Sequence, residues 1–207
     1  MTPLMKRRLA LLTLTFFPAI AFCEPAKVVE KPAAPPTAAK VAKVRLKTTQ
    51  GDIVIELNSE KAPISVANFL GYVKKKHYDG TVFHRLMPTF MIQGGGFSLS
   101  EGKLVPKTPD APIKNEGQNG LKNLRGTIAM ARTGIIDSAT CQFFINVVDN
   151  EALDYPNNGG YAVFGKVVEG MDMVDKIKDM ETETPPGSRE KSFPLKPVVI
   201  TSATVVE

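Results

Sequence analysis

The sequence predicts a mainly β fold, a closed β-barrel capped by two short α-helices. Three observations predict it. Short apolar segments rich in Val, Ile, Phe and Thr recur between residues 44 and 206, bounded by Gly, Pro and Asn turn signals. Only two stretches, around residues 63–76 and 173–180, carry the apolar spacing of a helix. So many strands must bury their apolar faces against one another, and a sheet that closes on itself does so without leaving an unpaired edge.

In chain order, Lys6, Arg7 and Arg8 precede the apolar run 9–22, the charged and apolar regions of a secretory signal peptide. The run is short for a membrane span, so no stable span is expected in the mature protein. Cleavage is expected after Ala21, where Ala19-Ile20-Ala21 sets small residues at the required spacing, or after Cys23. Phe22 stands where lipoprotein signals place a small residue, which argues against a lipid anchor at Cys23. Residues 24–43 are built from Ala, Pro, Lys, Val and Glu, with Pro32, Pro35 and Pro36 preventing a continuous helix; they predict a semi-extended tether.

Residues 44–207 then form the folded domain. Val44, Leu46 and Thr48 alternate with Arg45, Lys47 and Thr49, and Gln50-Gly51 turns the chain into the strand 52–57, a hairpin. Pro63 opens a helix with Val66, Phe69, Leu70 and Val73 at helical spacing, and Lys74 to Lys76 suit the negative end of its dipole. Residues 83–97 predict two strands broken at Pro88-Thr89, since proline cannot donate into the middle of a ladder. Further strands are expected at 126–132, 141–147 and 161–167, the last after the turn-rich Pro156-Asn157-Asn158-Gly159-Gly160. Met173, Ile177 and Met180 mark the second helix, and 198–206 the final strand.

Composition excludes several function classes. The chain of 207 residues, 43% hydrophobic, suits one domain with a sizeable core. Its net charge of +5 resides in residues 1–43, which leaves 19 basic and 19 acidic side chains on the remainder. A nucleic-acid binder would carry that excess on the folded domain, so no nucleic-acid partner is expected. Two cysteines, one of them Cys23, supply no disulfide framework, and with two histidines they show no zinc spacing; neither metal nor cofactor is expected. Cys141 has no base motif beside it and reads as a buried structural thiol.

One stretch describes a site. Arg85 and Gln93 fall near the ends of the two broken strands, among Phe83, Leu86, Phe90 and Ile92. Strict alternation puts Phe83, Arg85 and Met87 on one face, and Met91 and Gln93 on one face of the second strand.

Phe-His-Arg at 83–85, Phe-Met-Ile-Gln-Gly-Gly at 90–95 and Gln-Phe-Phe at 142–144 resemble the cyclophilin peptidyl-prolyl cis-trans isomerases, and the resemblance runs over residues 44–207. It implies eight antiparallel strands with a helix over each open end, and a peptide groove on the outer barrel wall. It also implies Arg85 as the catalytic residue, a proline pocket of Phe90, Met91, Phe143 and Leu153, and contacts to the peptide backbone from Gln93 and Ala131. Met130, Arg132, Gln142 and Tyr161 would line or adjoin the groove. These residue types fit the chemistry. Xaa-Pro rotation breaks no bond, so the enzyme needs an apolar cradle for the ring and a permanent positive charge beside the prolyl nitrogen. His84 is expected to be structural, because no proton moves.

The sequence departs from the family twice. Many cyclophilins carry a tryptophan before the Leu-Asp pair, where this chain has Ala152 and no tryptophan anywhere; Tyr161 stands where many carry histidine, as in exported bacterial relatives. With the signal peptide, the resemblance predicts a monomeric periplasmic isomerase acting on proline-containing unfolded or extended polypeptides. The alternative is a module or holdase that grips such segments without accelerating them. The presence of Arg85 together with Gln93 favours catalysis, since simple gripping would need mainly the apolar pocket.

Overall fold

The computed structural model describes residues 42–185 and 187–206. The expected signal peptide and all but the last two residues of the expected tether lie outside them. The hairpin of β1 (Lys43–Thr48) and β2 (Gly51–Leu57) forms first, with Thr48 facing Gly51 across the turn. Its alternating burial follows the alternating sequence.

Helix α1 (Pro63–Lys74) starts on proline and turns Val66, Phe69, Tyr72 and Val73 inward. Ala62 offers no capping side chain. Glu116 caps from a distant loop instead, its carboxylate oxygens accepting from the backbone N–H groups of Ile64 (2.9 Å) and Ser65 (2.7 Å). An anion at the positive end of the helix both satisfies free donors and complements the dipole.

Strands β3 (Thr81–Leu86) and β4 (Met91–Ser100) are separated by the Pro88-Thr89 turn, as the sequence requires. The short β5 (Lys103–Pro106) follows, then β6 (Thr127–Met130), β7 (Phe143–Asn146), β8 (Val163–Glu169), α2 (Met171–Lys178), the small β9–β10 pair (Thr182–Glu183 and Phe193–Pro194) and β11 (Val198–Val206). Antiparallel pairing runs β3-β11-β1-β2-β8-β6-β7-β4 and returns from β4 to β3, closing eight strands into a barrel; β5 adds to β4 outside the ring.

Side chains fill the interior. Phe69 of α1 meets the rings of Tyr78, Phe143 and Phe164 at centroid separations of 5.1, 5.6 and 5.2 Å. Val174 and Ile177 of α2 join the same core, with Met173 and Met180 packed against it. Helix α2 lies by the start of β2, where Met173 abuts Gly51, and both helices send side chains into the one interior core, Phe69 from α1 and Val174 from α2. Gly95, at φ +86°, lies where a Cβ would come within 2.9 Å of the Phe143 and Tyr78 rings, so this turn of β4 accepts only glycine.

Candidate active site

The register of the barrel wall assembles the site. β3 pairs with β4 as Arg85↔Gln93, β4 with β7 as Gln93↔Phe144, and β7 with β6 as Phe144↔Ala129. Opposed residues of antiparallel strands share a face, so Arg85, Gln93, Phe144 and Ala129 form one row across four strands. The adjoining row, Leu86, Ile92, Ile145 and Ile128, is fully buried in the barrel interior. The Arg85 row therefore faces outward.

A bulge makes this possible. The β3–β4 register shifts between Phe83 and Arg85, so that Phe83 and Leu86 both point inward while Arg85 turns out. Strict alternation put Phe83 and Arg85 on one face, and the extra residue of the bulge overturns that expectation.

On the outer face a second apolar cluster sits apart from the core. Met91, Ala129, Phe144 and Val163 form its floor, and Phe90, Ala131, Leu153 and Tyr161 stand partly exposed around it. Two expectations are corrected, one for the proline pocket and one for the groove lining. Phe143 is fully buried in the interior, edge-on to Tyr78 (5.4 Å) and Phe83 (6.1 Å), and Phe144 takes the place assigned to it. Met130, opposite Phe143 in register, is likewise an interior residue. Period-two alternation held the signal, because a groove-facing Gln142 puts Phe144, two residues on, on its own side.

The remaining predicted residues surround this floor. Gln93 donates through Nε2 to Gln142 Oε1 (2.8 Å), joining the two glutamines into one polar edge. Arg132 lays its guanidinium over the Tyr161 ring, Cζ 4.3 Å from the centroid, and donates to the carbonyls of Gly160 (3.1 Å) and Asn158. Arg132 braces the rim through these bonds. Arg85 Cζ lies 5.9 Å from the Phe90 ring centroid, at the border of the apolar cluster. Its Nε and Nη2 donate to the carboxylate of Glu190 at 2.6 and 2.7 Å, a bidentate pair with a residue that no motif singled out.

A polar network that was also silent in the sequence holds the pocket from behind. Asn150 donates to the Phe90 carbonyl (2.8 Å) and to Asn146 Oδ1 (2.7 Å), Asn146 donates to Asn123 Oδ1 (3.2 Å), and Asn123 donates to Asp154 Oδ1 through its backbone N–H (2.8 Å) and side chain (3.0 Å). Asn123, Asn146 and Asp154 are buried, so each of these bonds also spares a desolvated group. The network ties the Phe90 turn to the Leu153-Asp154 segment, which fixes the width of the pocket.

No side chain here is prepared for proton transfer or nucleophilic attack. His84 packs against Phe97 at 4.7 Å, and burial lowers its pKa to about 4. Burial, then the charge of Lys107, lowers His77 as well. The Cys141 thiol is buried, which raises its pKa and leaves it protonated. Glu190 is held below the usual carboxylate range, chiefly by its hydrogen bonds from Arg85.

A family model described as cyclophilin type peptidyl-prolyl cis-trans isomerase/CLD matches residues 43–205. The chain belongs to the cyclophilin family. It is 52% identical over 165 residues to peptidyl-prolyl cis-trans isomerase A of Dickeya dadantii (strain 3937), covering 79% of this chain and 84% of that protein. It is 49% identical over 168 residues to peptidyl-prolyl cis-trans isomerase B of Escherichia coli (strain K12), covering 79% and 99%. Among solved structures, a Cryptosporidium parvum cyclophilin-type isomerase crystallised in the presence of the dipeptide Ala-Pro is similar at TM-score 0.65 and 25% identity, covering 80% of this chain and 99% of that one. This cyclophilin is thus a peptidyl-prolyl cis-trans isomerase with an eight-stranded barrel, and no helix among its described residues is long and apolar enough to cross a membrane.

Proposed function

We propose that this cyclophilin accelerates Xaa-Pro rotation in exported polypeptides by seating the proline ring on the outer apolar cluster and stabilising the twisted amide with Arg85. The planar amide resists rotation with a barrier of ~18–20 kcal/mol, because twisting breaks its resonance. As it twists, the prolyl nitrogen becomes pyramidal and regains a lone pair. A guanidinium beside that nitrogen interacts with the twisted form more strongly than with the planar one, and only such a difference lowers a barrier. Proline lacks an N–H, so an aromatic and thioether cradle of Phe90, Met91, Phe144 and Leu153 accepts its ring without stranding a donor. The paired amides of Gln93 and Gln142 offer polar atoms to the peptide backbone on the Arg85 side.

The observation that carries this reading is the register row in which Arg85 and Gln93 border Phe144 on the outer wall. A protease-coupled assay on a proline tetrapeptide, with protein lacking residues 1–23, tests it. Acceleration above the spontaneous rate that disappears in Arg85→Ala is expected; an equal rate in that variant refutes the assigned role of Arg85.

The protein acts in the periplasm as a monomer on extended proline-containing chains, and nucleic acid is not among its partners. Lys6, Arg7 and Arg8 before the apolar run 9–22 support export, and the balanced charge of the domain supports a polypeptide substrate. Fractionation of expressing cells, with N-terminal sequencing and mass measurement of the product, checks export. Recovery of the uncleaved chain in the cytoplasm refutes it.

A further inference from the structure

The geometry points to Glu190 as a positioning residue for the isomerase, one that holds the Arg85 guanidinium in its working orientation before substrate arrives. The inference rests on the catalytic reading of Arg85. Of the five N–H groups of the guanidinium, Glu190 engages one on Nε and one on Nη2, at 2.6 and 2.7 Å. Both Nη1 hydrogens and one on Nη2 stay outside that pair. A fork gripped along one edge has a fixed plane and a fixed free edge, and a planar carboxylate is the side chain that can grip it so.

Glu190 is itself held in place. It belongs to the segment between β9 and β10, and this small hairpin is fastened to β3 close to Arg85. The Leu86 N–H donates to the carbonyl of Ser192 (2.8 Å), while the Ser192 N–H donates to the carbonyl of Glu183 (3.1 Å). Ser192 is buried, and Phe193 and Pro194 pair with Glu183 and Thr182. The Glu190 N–H also donates to Ser188 Oγ at 3.0 Å. The carboxylate thus reaches Arg85 from a braced support, across a separation of 105 residues in sequence.

Function requires such a device because Arg85 is a long side chain on an outer wall, one third exposed, with many rotamers open to it. Left alone it would have to be ordered during each turnover. Preorganisation removes that cost from the transition state, and misplacement of a catalytic group by about 1 Å can lower a rate by roughly 10²-fold. A carboxylate also weakens the positive field at the prolyl nitrogen. Orientation outweighs this here, because no acceptor among the described residues engages Nη1, whose donors remain for the substrate.

The test is a cycle of Arg85→Ala, Glu190→Gln and the double variant, with kcat and KM measured separately. Glutamine keeps the shape of glutamate and loses the charge and the paired acceptors. Glu190→Gln is expected to lower kcat on the order of 10-fold with KM within about twofold. It should have no further effect when Arg85 is already alanine, and Glu190→Asp should restore part of the loss. An unchanged or raised kcat in Glu190→Gln overturns the inference, and so does an equal loss in the Arg85→Ala background, which would mark a structural role. If Arg85→Ala collapses the rate while Glu190→Gln leaves it intact, the inference alone falls. If Arg85→Ala itself is fully active, the reading of Arg85 falls with it.

Discussion

Adjacent phenylalanines on β7 should fail in opposite ways when truncated. Phe143 is fully buried among the rings of Phe69, Tyr78 and Phe83, and a cavity left there is walled by the barrel and α1. Phe143→Ala should cost about 3–5 kcal/mol, the usual loss when a core phenylalanine is deleted and its surroundings cannot collapse. That is a large part of the total stability of a domain this size. Phe144 lies on the outer cluster, its ring 5.8 Å from that of Tyr161, and its removal opens a notch that water can enter. Phe144 is only 4% exposed, so its loss should still cost about 1.5–3 kcal/mol, less than at Phe143 because the partly exposed residues around it leave one side of the space open to water. What Phe144→Ala removes is an apolar wall for the proline ring. Losing roughly 2–3 kcal/mol of that contact lowers kcat/KM by about 30-fold to 150-fold. Urea unfolding followed by circular dichroism measures the first quantity, and the protease-coupled assay the second. Should Phe143→Ala fail to fold, Phe143→Leu loses less, about 1–1.5 kcal/mol, and keeps the comparison measurable. The register argument is refuted if the Phe143 variants stay stable but inactive while Phe144→Ala loses stability and keeps its activity.

Arg85→Ala should lower kcat/KM by roughly 10²–10³-fold, the range for deleting one preorganised donor at developing charge, with a far-ultraviolet spectrum unchanged from the parent. The rate should stay nearly flat from about pH 6 to 9, because arginine does not titrate there and both histidines are held below their ordinary value by burial; a step near pH 6.5 would bring imidazole into the mechanism. Stability, unlike the rate, should depend on pH. His84 titrates at about 4 in the folded protein against about 6.5 unfolded, so the unfolded state takes up the proton first as pH falls. Stability should be greatest above about pH 6.5 and decline by roughly 3 kcal/mol toward pH 4, with His77 acting in the same direction. The lowered carboxyls of Glu190 and Asp175 add their losses only below their ordinary range, near pH 4. Urea midpoints at pH 7.0 and 4.5 should therefore move closer together in His84→Gln, and an undiminished gap would assign the dependence elsewhere.

The elements were legible because each rests on neighbours in sequence. Alternation at Val44, Leu46 and Thr48, Pro63 at the first turn of α1, and the break at Pro88-Thr89 are local constraints, and the barrel kept all of them. Part of the site was legible for the same reason, since Arg85, Phe90, Met91 and Gln93 lie within one hairpin whose pairing is set by its own turn. Faces were harder. A single bulge after Phe83 inverted the side on which Arg85 emerges, and one residue of register separated Phe144 on the wall from Phe143 in the core. Period-two patterning says that neighbours alternate, while which parity faces inward is settled by the packing of the whole barrel. Glu190, Asn123, Asn146 and Asp154 left no local trace at all. Each acts through a partner far along the chain, and polar side chains in loops look alike until the fold gives them something to hold. The eight barrel strands, the two α-helices and the residue types of the candidate groove could be read from the chain alone, because propensity and side-chain type are local quantities, while β5 and the β9–β10 pair could not. Which face each residue serves, and what fastens it, emerged with the closed barrel, because both depend on strands meeting across distances no window of sequence contains.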